Sequence, residues 1–238
     1  MTTERTRPLA LVTGASTGIG YELARQLAAT GHDLVVTADE EAVHEVAAEF
    51  APQGVRAHGV LADLATDDGV DELLSSLAAL ERAVEIAALN AGVGAGGPFA
   101  ATPLEGDERV VRLNVLSTVV LAKTLVRDMV LRGQGRLLVS SSVAAAMPGP
   151  YYATYAASKA FLRSFALALR EELGGTGVTV TSLMPGPTDT QIFERSHMED
   201  TRAATGPKLD PTDVARAAVE GLLAGEAEVV PGGTKPGS

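Results

Sequence analysis

The 238-residue chain has no cysteine, only four lysines and only four histidines, and each scarcity removes a class of function. Without cysteine there is no disulfide framework, no thiol nucleophile and no thiolate metal site, and no metal is expected. The lysines (Lys123, Lys159, Lys208 and Lys235) are scattered, and 19 basic against 30 acidic side chains leave a formal net charge of −11. A phosphate backbone would be repelled over most of such a surface, so a nucleic-acid partner is not expected. No run of about 18 apolar residues occurs, so no membrane span is expected. The short apolar run near the amino terminus is too brief for a signal peptide, which makes a soluble cytoplasmic protein the default expectation.

What is present is core-forming material. Hydrophobic residues make up 46% of the chain, enough for one large α/β domain or two small ones. Short β-branched runs at 9–13, 33–37, 55–60, 85–89, 135–140, 178–183 and 228–230 read as strands. Between them, stretches at 18–29, 40–50, 67–80, 104–132, 151–173 and 211–224 read as helices; in the second, Val43, Val46, Ala47 and Phe50 form a core-facing stripe. Gly31 and Gly54 follow the first two helices, where a left-handed cap is wanted. The strands are continuous apolar runs rather than alternating ones, which suits a sheet covered by helices on both faces. Regular βαβ alternation without a linker or repeat predicts a single domain over 1–238, α/β and Rossmann-like, with a doubly wound parallel sheet and a loose tail at about 232–238.

The stretch LALVTGASTGIG at 9–20 admits two readings. Gly14-Ala-Ser-Thr-Gly18 is a G-x-S-x-G, the elbow of a serine hydrolase, while Gly14, Gly18 and Gly20 suit a turn that cradles a dinucleotide pyrophosphate. An elbow serine needs a later acid and histidine, and His32, His44 and His58 come early. Only His197 lies late, in a charged loop, and a serine after the first strand leaves no earlier strand to supply an oxyanion loop. The glycines account for themselves otherwise: Gly14 permits a tight exit, and Gly18 and Gly20 allow close backbone approach to phosphates at a helix amino terminus. The spacing is G-x-x-x-G-x-G, and a purely structural turn is the plainer alternative.

Further along, Tyr155-Ala-Ala-Ser-Lys159 puts a phenol and an ammonium at i and i+4 on one helix face. An ammonium beside a phenol favours the phenolate, which makes Tyr155 a candidate general acid or base. Ser142 follows the strand at 135–140, where the carboxyl ends of parallel strands meet a ligand crevice.

With Thr13-Gly-Ala-Ser-Thr-Gly-Ile-Gly20, Ala62-Asp-Leu64, Leu89-Asn-Ala-Gly92, Asn114, Ser142, Tyr155-x-x-x-Lys159 and Pro185-Gly-Pro-Thr-Asp-Thr190 in this order, the chain resembles the short-chain dehydrogenase/reductase family over nearly its full length. The resemblance implies a seven-stranded parallel sheet and hydride transfer between a nicotinamide cofactor and a ketone or secondary alcohol. It makes Tyr155 the acid–base, and Lys159 the group that lowers its pKa and holds the nicotinamide ribose. Ser142 becomes, with Tyr155, the contact to the substrate oxygen, and Asn114 a perturbation of its helix that anchors a proton relay. Cofactor contacts fall on Gly14, Ser16, Thr17, Gly18, Ile19 and Gly20, on Asp63 and Leu64 (adenine), and on Asn90, Ala91 and Gly92. Pro185, Gly186, Thr188 and Thr190 would orient the carboxamide, although the two threonines also suit a plain turn. Where the family often has Asn-Asn-Ala-Gly, this chain has Leu89-Asn-Ala-Gly92.

Asp39, just past the second strand, suits the adenosine-ribose hydroxyls and would repel a 2′-phosphate, so NAD(H) is expected over NADP(H) without excluding the latter. Its plainer use is to cap the next helix. Ile192, Phe193, Met198, Phe99, Met147, Tyr151 and Tyr152 are candidates for an apolar substrate pocket or for core, and Arg195 and Arg202 lie in the substrate loop at about 190–210. The resemblance also implies a homotetramer or homodimer with helices 104–132 and 151–173 as contact faces. The competing function is a dinucleotide-binding sensor or scaffold that has lost turnover.

Overall fold

The computed structural model describes residues 7–190 and 207–232. Its centre is one sheet of seven parallel strands: β1 (Leu9–Thr13), β2 (Asp33–Ala38), β3 (Ala57–Leu61), β4 (Val84–Leu89), β5 (Gly135–Ser140), β6 (Val178–Leu183) and β7 (Glu228–Val229). Their spatial order is 3-2-1-4-5-6-7. The order reverses between β1 and β4, so the crossovers on either side of that boundary diverge and leave a crevice at the strands' carboxyl ends.

Period-two alternation sorts the strand residues onto two buried faces. Leu9, Leu11, Val35, Ala87, Leu137 and Val180 pack on the side of α3 (Asp67–Ala79), α5 (Ser117–Arg132) and α6 (Ala153–Glu172). Ala10, Val12, Leu34, Val36, Ile86 and Leu138 pack on the side of α1 (Gly18–Ala29), α2 (Ala42–Ala48) and α7 (Pro211–Ala224). Covering both faces removes the need for polar alternation, which is why the strands read as unbroken apolar runs. Helix starts follow local chemistry. The Thr66 side chain accepts from the Gly69 amide at 3.0 Å ahead of α3, and Asp210 accepts from Thr212 at 2.7 Å ahead of α7.

Opposite the crevice, at the amino-terminal edge, the buried Asp33 carboxylate accepts from the Arg56 amide (3.0 Å), Arg56 Nε (3.1 Å) and Arg82 Nη1 (2.9 Å). Burial pushes its pKa up, but these donors together hold it below the ordinary aspartate value.

Several element ends shift by a residue or two from the sequence expectation, and three differences have a structural reason. The helix expected over 40–50 is α2, only Ala42–Ala48, followed by a 3₁₀ turn at Ala51–Gln53, because Pro52 supplies no amide and disfavours the α region before it. The strand expected at 55–60 is Ala57–Leu61, at the sheet's edge, with bounds set by its register on β2. The helix expected over 104–132 runs as α4 (Leu104–Val110), a π-helical segment (Val111–Leu116) and α5. Within it the Ser117 amide reaches back to the Arg112 carbonyl, and the Ser117 hydroxyl donates to the Leu113 carbonyl at 2.5 Å. The hydroxyl serves a carbonyl that the wider turn deprives of its usual amide.

Candidate active site

The chain leaves β1 at Gly14 with φ +67°, a left-handed conformation that favours glycine. A Cβ at Gly14 would lie 2.8 Å from Ala91 Cα, and one at Gly20 would lie 1.9 Å from the Gly14 carbonyl oxygen. The turn is therefore closed against itself and against the end of β4. Thr13 Oγ1 accepts the amides of Asn90 and Ala91, each at 2.9 Å. Asn90 Nδ2 donates to Thr13 O (3.2 Å), and Ser140 Oγ donates to Asn90 Oδ1 (3.1 Å). These bonds stitch the ends of β1, β4 and β5 into one rim. Thr17 precedes α1 without a side-chain capping bond, and the first turn holds no acidic residue. The first-turn amides have no carbonyl one turn back, so they and the helix dipole remain for an anion.

Below this rim lies a cavity of about 480 Å³. Of the expected cofactor positions, Gly14, Ser16, Thr17, Gly18, Ile19, Gly20, Asp39, Asp63, Leu64, Asn90, Ala91, Gly92 and Thr190 all line it. Pro185, Gly186 and Thr188 are not among its lining residues. The Thr188 hydroxyl donates to the Gly186 carbonyl at 2.9 Å, the turn-forming use, while the Pro185 carbonyl accepts the Val143 amide and braces the segment after Ser142.

One end of the cavity is acidic and bridged. Arg109 on α4 donates from Nη1 to Asp63 Oδ2 (2.9 Å), and from Nη2 to Asp63 Oδ1 (3.2 Å) and Asp39 Oδ2 (3.0 Å). Burial raises the Asp63 pKa, but the Arg109 bond and the Ala65 amide hold it below the ordinary value. The hydrogen bond it donates to Asp63 is the main cause of a raised Arg109 pKa. Sequence reasoning missed Arg109, and no local spacing marks it.

The remaining site residues, Asn114, Ser142, Tyr155 and Lys159, are not among the residues that line the cavity; they gather behind Gly92 and Val93, which do line it. Asn114 is fully buried in the π segment, where its Oδ1 accepts the Val93 amide and its Nδ2 donates to the Val93 carbonyl, both at 2.9 Å. Nδ2 also donates to Ser158 Oγ at 3.0 Å, and Ser158 Oγ donates to the Tyr155 carbonyl at 2.7 Å. Ser158 is thus a second residue that sequence reasoning missed; it ties Asn114 to the tyrosine's own helix turn. Lys159 Nζ donates to the Ser140 carbonyl at 2.9 Å, and Ser141 Oγ donates to the Lys159 carbonyl at 2.7 Å. A Cβ at Gly92 would stand 3.2 Å from both Asn114 Oδ1 and Lys159 Nζ, so the missing side chain is what lets the cavity floor meet this cluster.

Tyr155 and Lys159 share a face of α6 as their spacing requires, with Nζ 5.7 Å from the ring centroid. The expectation that the ammonium lowers the phenol's pKa is not met in this arrangement. Burial pushes Tyr155 up, a hydrogen bond with Ser142 pulls partly against it, and Tyr152 adds to the rise. Lys159, taken out of water, falls to about 8. Burial is the largest cause of both shifts, and with its pKa raised the phenol is a proton donor at neutral pH. Ser142 Oγ also accepts the Ala144 amide at 3.1 Å, which orients its hydroxyl.

Phe99, Met147 and Tyr151 are exposed, and the Tyr151 carbonyl accepts the Gly97 amide at 2.8 Å. Tyr152 is half-buried, with its phenol packed on Gly149. Ile192, Phe193, Arg195, His197, Met198 and Arg202 lie outside the described residues, as does most of the expected substrate loop. Among the described residues no helix is long and apolar enough to cross a membrane.

A sheet of this order with a glycine-closed crevice at its reversal, and a Ser–Tyr–Lys cluster beside it, defines a dinucleotide-fold oxidoreductase. The family model for short chain dehydrogenases matches residues 8–201, and the chain belongs to that family. It is 34% identical over 199 residues to a 3-oxoacyl-[acyl-carrier-protein] reductase of Synechocystis, covering 83% of this chain and 81% of that one. It is 36% identical over 186 residues to "Probable oxidoreductase EphD" of Mycobacterium tuberculosis; the match takes in 77% of this chain but spans only 31% of that relative's length. Among solved structures, a short-chain dehydrogenase from Sphingobium yanoikuyae in complex with NADPH superposes with a TM-score of 0.87 at 30% identity, covering 94% of this chain and 88% of that one.

Proposed function

We propose that this oxidoreductase transfers a hydride between a nicotinamide dinucleotide and a ketone or secondary alcohol, with Tyr155 as the acid–base. The observation that carries the reading is the convergence of Lys159 Nζ and Asn114 Oδ1 on Gly92, which joins a glycine-closed cradle to a half-buried phenol and its buried ammonium neighbour. The residues present fit a dinucleotide: the first turn of α1, with no side-chain cap and no acidic residue, lines a cavity of about 480 Å³ and can receive a pyrophosphate there. Gly14, Ser16, Thr17, Gly18, Ile19 and Gly20 would hold the pyrophosphate side. Asp39 would take the adenosine ribose, Asp63 and Leu64 the adenine, and Asn90, Ala91 and Gly92 the floor. Pro185, Gly186, Thr188 and Thr190 would flank the carboxamide, and Lys159 the nicotinamide ribose. When bound, the dinucleotide supplies or takes up the hydride. In reduction, Tyr155 Oη gives its proton to the carbonyl oxygen while Ser142 donates a hydrogen bond to that oxygen as negative charge develops. In oxidation the proton moves the other way, onto Tyr155 as its phenolate, a form that the raised pKa confines to alkaline pH. Asn114 holds Val93 and, through Ser158, the Tyr155 turn.

Asp39 at the acidic end favours NAD(H) over NADP(H). The Sphingobium relative was solved with NADPH, so both nucleotides belong in the test. NADH and NADPH are titrated by fluorescence, and ketones and secondary alcohols are then screened for turnover. Tyr155→Phe should keep NADH affinity within about twofold and lower turnover by about 10²–10⁴. Binding without turnover, unaltered in the variant, would replace this reading with a sensor.

A further inference from the structure

We propose that Arg109 is a specificity-determining residue that binds the 2′-phosphate of NADP(H), so that the crevice takes the phosphorylated dinucleotide as well as NAD(H). The proposal rests on the dinucleotide reading above. Residues near Asp39 in sequence argue the opposite: the position carries an acid, Glu40 and Glu41 follow it, and Thr17 stands before the second glycine. The fold brings in a cation from elsewhere. Arg109 arrives on α4, 70 residues from Asp39, and is the only cation among the described residues lining the cavity.

Its two partners hold it unequally. Asp63 grips the guanidinium with both oxygens, at 2.9 and 3.2 Å, and is itself fixed by the Ala65 amide at 3.0 Å. Asp39 meets a single nitrogen at 3.0 Å across a contact in which both side chains are more than 40% exposed. An exposed single contact of this kind contributes little, whereas a phosphate offers an arginine fork several acceptors and a second negative charge. Three of the five guanidinium N–H groups suffice for the contacts seen. Arg109 therefore stays on Asp63 and exchanges Asp39 for the 2′-phosphate, and Asp39 turns to solvent. With NAD(H), Arg109 keeps Asp39 beside the ribose hydroxyls.

The test measures Kd for NADH and NADPH by fluorescence titration and reads their ratio, which cancels everything the two nucleotides share. Arg109→Met should raise Kd(NADPH)/Kd(NADH) about tenfold. The rise should persist in an Asp39→Asn background, where neutralising Asp39 can no longer be the arginine's role. A ratio unchanged within about twofold, or a rise that vanishes beside Asp39→Asn, overturns the proposal. If Arg109→Met binds neither nucleotide, Arg109→Lys decides on the same ratio, since it keeps the charge but not the fork. A rise of about threefold or more supports direct phosphate recognition, and no rise overturns it. Wild-type protein that binds neither nucleotide overturns the dinucleotide reading itself, whereas wild-type binding of NADH with an unmoved ratio overturns only the role of Arg109.

Discussion

Replacing Lys159 by Met should stabilise the protein at neutral pH while removing its activity. The lysine is only 4% exposed, and burial lowers its pKa from 10.5 to about 8. At about 1.4 kcal/mol per unit, holding that ammonium in the fold costs about 3 kcal/mol below pH 8. Methionine keeps an unbranched stem and carries no charge, but it leaves the Ser140 carbonyl without the donor now at 2.9 Å, a loss of about 1–2 kcal/mol. The variant should therefore gain about 1–2 kcal/mol at pH 7. The pH dependence has a definite sign. Between about 8 and 10.5 the unfolded lysine binds more protons than the folded one, so wild-type stability rises through that window relative to the variant. Near pH 10 the wild type should be the more stable of the two. Urea unfolding of both proteins at several pH values checks this, because titrations common to both cancel in the difference. A variant less stable than wild type at pH 7, or a difference that does not move with pH, would refute the reasoning.

Two further substitutions probe the surroundings. Gly92→Ala sets a methyl group 3.2 Å from Asn114 Oδ1 and Lys159 Nζ, both of which are anchored and cannot easily retreat. It should lower stability by about 1–3 kcal/mol and turnover by at least about tenfold, measured by urea melts and steady-state kinetics. Phe161 on α6 is 43% exposed, and Leu104, Val111 and Leu116 along α4 and the π segment are exposed too; the self-association expected through these helices would cover such residues. Phe161→Glu should convert a dimeric or tetrameric wild type to monomer by light scattering, and a monomeric wild type would rule the interface out.

What the sequence disclosed and what it hid divide along physical lines. Strand runs and helix stripes depend on the period of the chain itself, so β1, α1, β5 and β6 match the residues expected for them. The glycine turn was legible because its constraint is local: Gly14 needs its backbone conformation, and Gly20 has no room for a Cβ. Arg109 was not legible, since its meaning lies in partners 46 and 70 residues away. The resemblance marked Asn114 as a perturbation of its helix, but the kind and extent of the π segment were not legible, because Val111–Leu116 has an ordinary helical composition apart from Asn114. The pKa of Tyr155 was misjudged for a third reason. Spacing reveals which groups are neighbours, but desolvation depends on everything that excludes water around them.

The π segment also restricts how this chain can vary in length. One extra residue fits inside a helix that otherwise continues unbroken, and each residue turns a helix by about 100°. Upstream of the segment, the phase is set by Arg109 reaching Asp63; downstream, it is set by Leu121, Ala122 and Leu125 packed under the sheet. Removing a single residue would restore regular hydrogen bonding, yet it would rotate one of those faces away from its contacts and Asn114 away from Val93. Loops away from the cavity tolerate changes of length far better. Here side chains can be exchanged, but the number of residues is part of the geometry.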